Sequence, residues 1–153
     1  MCQAREMASS EVSYERLFQD EYRWLCDVLD LAPVDLVLIP DDDLEVDPRY
    51  GGTPRRIETR YSQHDASVVR STATSESGEP PTWSTTEAEG YLFWEEWRTT
   101  LWHEVSHQVQ DECGFGWDAT VENGHGSTWS AALDWMARRL GCPSGETLKR
   151  LLA

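Results

Sequence analysis

The sequence predicts an α+β fold: a small antiparallel or mixed sheet with an N-terminal helix, a central helix and a backing C-terminal helix. Three observations predict it. Trp94, Trp97, Leu101, Val105 and Val109 recur at spacings of 3, 4, 4 and 4, which marks one apolar face of a helix. Trp129, Leu133, Met136 and Leu140 repeat the pattern at 4, 3 and 4. Arg55–Tyr61 alternates instead, with Ile57, Thr59 and Tyr61 on one side and Arg56, Glu58 and Arg60 on the other, as a half-buried strand does. A chain of 153 residues makes one domain with a real core. Residues 10–153 are assigned to it, behind a flexible N-terminus at 1–9.

From about Ser10 to Leu31, the apolar positions Leu17, Trp24, Leu25, Val28 and Leu29 suit a helix packed on one side, and Pro33 ends it. Val34–Ile39 is a short aliphatic run and reads as a buried strand. Asp41–Asp47 carries five carboxylates in seven residues. The EF-hand pattern fails there, lacking Gly at the sixth position and Glu at the twelfth, so a solvated acidic loop is expected. Tyr50–Pro54 reads as a turn. His64 lies in a polar, surface-type stretch, and Val68-Val69 suggests a third short strand. Residues 71–86 have no period and are rich in Ser, Thr, Glu, Gly and Pro. They form a long loop, which either borders a cleft or is an idle insertion.

Thr86-Glu87-Ala88-Glu89 reads as a capping box that opens a helix over 87–112, and Gly114 and Gly116 stop it. The loop 113–126 carries Asp118, Glu122 and His125. A helix over 127–140 follows, capped by Gly141 and stopped by Pro143. Ser144 then begins a last short helix that buries Leu148, Leu151 and Leu152.

The formal net charge is −15, with Lys149 the single lysine among thirteen basic residues. That balance suits an acidic protein from a GC-rich genome, or a halophilic host in which salt screens the self-repulsion of a carboxylate-rich surface. Seven of the eight tryptophans lie between 83 and 135 and can fill a core there. None of the four cysteines forms a CxxC pair, no segment reads as a signal peptide, and no apolar run approaches membrane-spanning length. A reduced, cytoplasmic protein with free thiols is therefore expected, with no membrane partner. Cys113 reads as a small buried residue at a helix end.

Within the central helix stands His103-Glu104-Val105-Ser106-His107, an HExxH pentapeptide. Residues four apart on a helix stack on one face, so two imidazoles there can share one zinc ion. Glu104 projects beside them, placed to take a proton from a water on the ion. A third histidine, His125, sits 18 residues on in Asn123-Gly124-His125-Gly126-Ser127-Thr128-Trp129 and opens the next amphipathic helix.

HEVSH followed by GHGSTW, with a helix behind it, resembles the SprT-like zinc metallopeptidase domain, which pairs HExxH with a later His in an HGxxF or HGxxW context. The resemblance spans residues 12–140, with its specific part confined to 103–107 and 124–129. It implies one zinc per chain on His103, His107 and His125, Glu104 as the catalytic base, and hydrolysis of peptide bonds in protein substrates. Other patterns fit less well. The HExxHxxGxxH pattern finds Gln110 in place of Gly and Cys113 in place of the last His. A thermolysin-type ligand would fall to Glu122, in a Gly-flanked loop; Asp118 is a further alternative. Tyr91, Tyr50 and Arg60 are candidates to stabilise an oxyanion. Zinc is favoured by the ligand set, although other divalent ions accept imidazole.

Some members of that family act on DNA-crosslinked proteins and carry a cysteine zinc ribbon, which this chain lacks. The overall charge opposes DNA. Two local stretches favour it: 48–75, with Arg49, Arg55, Arg56, Arg60 and Arg70, and 138–150, with Arg138, Arg139, Lys149 and Arg150. The competing expectations are a non-catalytic, zinc-stabilised binding module and a regulatory protease that cuts one partner.

Overall fold

A computed structural model of the chain describes residues 2–39, 47–59, 97–117, 125–142 and 144–152, with side chains from Glu15 onward in the first helix and from Arg98 onward in the second. Its elements are α1 (Cys2–Leu29), β1 (Asp35–Leu38), β2 (Arg49–Gly51), β3 (Arg56–Thr59), α2 (Trp97–Glu112), α3 (Ser127–Leu140) and α4 (Gly145–Leu152). The fold is α+β, with a mixed three-stranded sheet ordered β1-β3-β2. The expected strand at 68–69, the 71–86 loop, the capping box and His64 lie outside the described residues.

α1 is longer at its start than the apolar pattern predicts, because residues 2–9 hold no Gly or Pro and are mostly good helix formers. It buries Phe18, Glu21, Tyr22, Leu25, Cys26 and Leu29, spacings that keep one face inward. The helix ends before Pro33 acts. Asp30 turns left-handed at φ 55°, and the Leu31 N–H reaches back to the Cys26 carbonyl at 2.9 Å. Tucking Leu31 into the core this way closes a Schellman-type cap.

β3 is the central strand, parallel to β1 and antiparallel to β2. The expected alternation holds for Ile57 and Thr59, but Glu58 is buried too. Arg49 and Arg56 cover it, donating to Glu58 Oε1 at 3.2 and 2.7 Å. Burial alone would raise the Glu58 carboxyl, and these two arginines more than reverse it, leaving its pKa below the usual value. β1 is half-buried rather than buried: Leu36 and Leu38 face inward, while Val37, on the other face, is 45% exposed. The turn expected at 50–54 is shifted, since Arg49–Gly51 pairs as β2 and the turn occupies 52–55.

α2 runs through the middle of the molecule and is buried on nearly every side from Arg98 to Gln110. Its apolar positions Leu101, Val105 and Val109 are fully buried as expected. Its polar ones are buried because each has a partner. Gln108 accepts from the Tyr22 hydroxyl at 2.8 Å and donates to the Ala32 carbonyl at 2.8 Å, which fastens α1 and its exit to α2. The Glu112 carboxylate accepts from the Ala32 N–H at 3.2 Å and adds to the same joint.

α3 matches the predicted range and buries Trp129, Leu133, Met136 and Leu140, with Gly141 left-handed at φ 70° as its cap. Ser144 caps α4 by accepting from the Thr147 N–H at 3.2 Å. α4 packs chiefly on α3 and also meets α2, burying Leu148 and Leu152 while Leu151 is half-buried. Gly145 comes so close to α3 that a Cβ would stand 2.9 Å from the Asp134 Cα. A residue with a side chain there would push α4 off α3.

Cys26 and Cys142 are buried, and burial pushes both thiols up to about 11. Cys113 is exposed, contrary to expectation: it lies just past α2, where the helix leaves the core. Alkylation of the native protein at pH 8 is expected to mark Cys113 and to spare Cys26 and Cys142 until denaturant is added. Peptide mapping checks this; native-state labelling of Cys26 would contradict the packing of α1. No helix among the described residues is long and apolar enough to cross a membrane.

Candidate metal centre

α2 presents His103 and His107 one turn apart on the side that faces α3. His125 enters from the segment just before Gly126, the N-cap of α3. Trp129, one turn into α3, underlies all three rings. Its centroid is 4.5 Å from that of His125, 5.6 Å from His103 and 6.3 Å from His107. The indole N–H donates to Ser106 Oγ at 2.7 Å, and Ser106 donates in turn to the His103 carbonyl. Trp129 thus fixes the spacing between α2 and α3 at the point where the histidines meet.

The Nε2 atoms converge. His107 Nε2 lies 3.3 Å from that of His103 and 3.0 Å from that of His125. The potential ligand atoms of all three lie within 4.8 Å of one another. Nitrogens held tetrahedrally at about 2.0–2.1 Å from a zinc ion would stand about 3.3 Å apart.

Ring orientation gives a chemical test of that fit. His103 Nδ1 is 2.6 Å from the Leu152 carbonyl, which can only accept, so Nδ1 carries the proton and Nε2 a lone pair. His107 Nδ1 is 2.6 Å from Gln110 Oε1, with the same consequence. Two lone pairs therefore face each other at 3.3 Å with no hydrogen between them. Neutral rings so placed repel, and a cation bonded to both removes the repulsion. The residues present fit a divalent metal with borderline-soft preference.

Burial keeps the rings neutral, the form that ligates. His107 is lowered to about 4, chiefly by burial; hydrogen bonding to Gln110 opposes this, and the charged forms of His103 and His125 lower it further. His103 is lowered by burial against the opposing Leu152 carbonyl, and His125 by burial and then His103.

Glu104 lies beside the triad, buried but lining the same cleft of about 340 Å³. Burial raises its carboxyl to about 7, opposed by a hydrogen bond from the Tyr50 main-chain N–H. β2 borders this cleft with Arg49 and Tyr50, and Trp117 borders it too. A second pocket of about 380 Å³ adjoins, sharing Tyr50, His107 and Trp117. The Tyr50 hydroxyl is committed to Asp111 at 2.8 Å. Tyr91, Arg60, Asp118 and Glu122 lie outside the described residues. Among those described, Cys113 is not in the group around the histidines.

Three contributors escape a reading of the motif. Gln110 stands three residues after His107, a helical-neighbour spacing that marks it as a possible contact of that ring. Ser106 sits inside HEVSH at a position the pattern leaves free. The Leu152 carbonyl carries no sequence signal, being main chain 49 residues from His103. Compared with protein-family models, with curated proteins and with solved structures, the chain matches none.

Proposed function

We propose that this chain is a zinc-dependent metallopeptidase of SprT-like type that hydrolyses peptide bonds in protein substrates. The observation that carries the reading is the convergence of three imidazole Nε2 atoms beside a buried carboxyl in one open cleft. His103, His107 and His125 would hold the metal. When bound, zinc supplies a Lewis acid that polarises a carbonyl and makes water a competent nucleophile near neutral pH. Glu104 would accept a proton from the attacking water at its carboxylate and return it to the leaving amine. The Tyr50 N–H holds that carboxylate in place, and Trp129 holds the three rings at one spacing.

Free thiols at Cys26, Cys113 and Cys142 suit a reducing compartment, and the cytoplasm is the proposed location. The proposal does not extend to DNA. Arg49 and Arg56 are engaged by Glu58, and Arg55 pairs with Asp111 at 3.4 Å, so these three cations of the 48–75 stretch serve local contacts.

Metal content tests the reading. Protein purified without added metal is expected to carry one zinc per chain by mass spectrometry. His125→Ala is expected to lose most of it, and Glu122→Ala to keep it. A well-folded wild type without metal would overturn the proposal, and equal loss in both variants would overturn the assignment to His125.

A further inference from the structure

We propose that Gln110 is the positioning residue of His107: its side-chain amide fixes the imidazole with Nδ1 protonated and Nε2 turned to the metal position, and ties that orientation to the 114–117 turn and to α3. The proposal rests on the metal-site reading above. Gln110 occupies the position that the HExxHxxGxxH pattern gives to Gly, where no side chain could do this.

The hydrogen bonds determine the direction of the amide. Gln110 Nε2 is 3.4 Å from the Gly116 carbonyl, an acceptor only, and 3.2 Å from Thr128 Oγ1. Nε2 must therefore donate to both, which turns Oε1 towards His107 Nδ1 at 2.6 Å. A flipped amide would set its oxygen against the Gly116 carbonyl and lose that hydrogen bond. With Oε1 fixed as acceptor, Nδ1 must be the protonated nitrogen of His107. The tautomer of a ring nitrogen is set by the bond its opposite nitrogen makes.

The same residue grips Gly116 from both sides. The Gln110 main-chain carbonyl accepts the Gly116 N–H at 2.9 Å, while its side chain donates to the Gly116 carbonyl. Gly116 needs φ 82°, a left-handed value that glycine adopts without strain. Trp117 follows directly, its ring 5.0 Å from that of His107. One buried amide therefore joins a metal ligand, the turn beside the cleft and the second residue of α3.

The test compares Gln110→Met, which removes both polar functions at similar length, with Gln110→Glu, which keeps the acceptor. Two readouts are used: long-range 1H–15N spectra of the histidine rings in the metal-free chain, and zinc affinity by competition with a chromophoric chelator. In wild type, His107 is expected to show Nδ1–H. Gln110→Met should lose that signature and bind zinc about 10–100-fold more weakly, while Gln110→Glu, which keeps the acceptor but not the donor to Gly116, should retain the Nδ1–H signature. Unchanged tautomer and affinity in Gln110→Met, or loss of the Nδ1–H signature in both variants, would overturn the proposal. Should Gln110→Met not fold, Thr128→Val removes one anchor of the amide. It is expected to weaken both the Nδ1–H signal and zinc affinity several-fold, and no change in either would be equally fatal. A wild type that takes up no zinc defeats the metallopeptidase reading instead, and the tautomer measurement then still decides the role of Gln110.

Discussion

Glu104→Gln is expected to keep one zinc per chain and to lose peptidase activity by at least about 100-fold, since general acid–base catalysis contributes about 10²–10⁴-fold. The substitution preserves shape. A Gln carbonyl can still accept from the Tyr50 N–H that now meets the carboxylate, so the position of β2 over the cleft should survive. What disappears is a group that can take up a proton and hand it on. His103 is the adjacent residue, but its Nδ1–H stays committed to the Leu152 carbonyl, so the ligand set is left alone. The variant also separates the competing readings. A binding module stabilised by the metal has no use for a base beside His103, and there Glu104→Gln would be silent in every assay. A protease restricted to one partner would lose cleavage like a general one, and only a comparison of substrates distinguishes those two. Metal content with casein cleavage, measured side by side on the variant and wild type, provides the check. Undiminished cleavage with full metal would end the assignment of Glu104 as base.

The parts of the fold that were legible share one property: their information is local and periodic. Trp129, Leu133, Met136 and Leu140 predict α3 to the residue because one helical face packs on the core and Gly126 and Gly141 bracket it. The triad was legible for a related reason. Spacing on a helix places His103 over His107, and His125 opens the next amphipathic run. What stayed hidden depends on partners far away in sequence. Glu58 alternates as an outward residue of β3, and its burial follows from Arg49 on a neighbouring strand that the turn-like residues 50–54 concealed. Val37 reads as buried by composition, yet only one face of β1 is covered. At the site, the carbonyl that orients His103 belongs to the last helical residue, Leu152, and any residue type offers the same carbonyl. Nor does composition suggest that α2 is buried nearly all round with Arg98 and Gln110 inside it, because such side chains are seldom fully buried without partners, and the partners lie on α1 and α3.

The pair that anchors the start of α2 carries the largest expected effect on stability. Glu21 of α1 and Arg98 of α2 are both 0% exposed, with Arg98 Nε 2.7 Å from Glu21 Oε2. The same oxygen accepts from the Trp102 indole N–H at 2.9 Å. Glu21→Gln leaves the volume almost unchanged but removes the carboxylate charge beside a fully buried guanidinium. Breaking a buried pair from one side costs about 3–5 kcal/mol, because the remaining charge has lost its counter-charge. Against a total stability of about 5–15 kcal/mol, that is about a fifth or more, and a fall in melting temperature of about 10 °C is expected. Replacing both partners removes the cause. Glu21→Leu combined with Arg98→Met should be more stable than Glu21→Gln alone, since apolar groups of similar volume often do as well as a buried ion pair. It should still fall short of wild type, because the Trp102 N–H then loses its Glu21 acceptor, at a cost of about 1–3 kcal/mol. Urea melts of the single and double variants measure this order directly. A double variant no more stable than the single would mean that α2 is held here by packing against α1 and not by charge. Zinc per chain should be unchanged in every variant that remains folded, since none of these side chains touches the triad. A selective loss of metal in Glu21→Gln would show instead that the pair sets the position of α2 on which His103 and His107 depend.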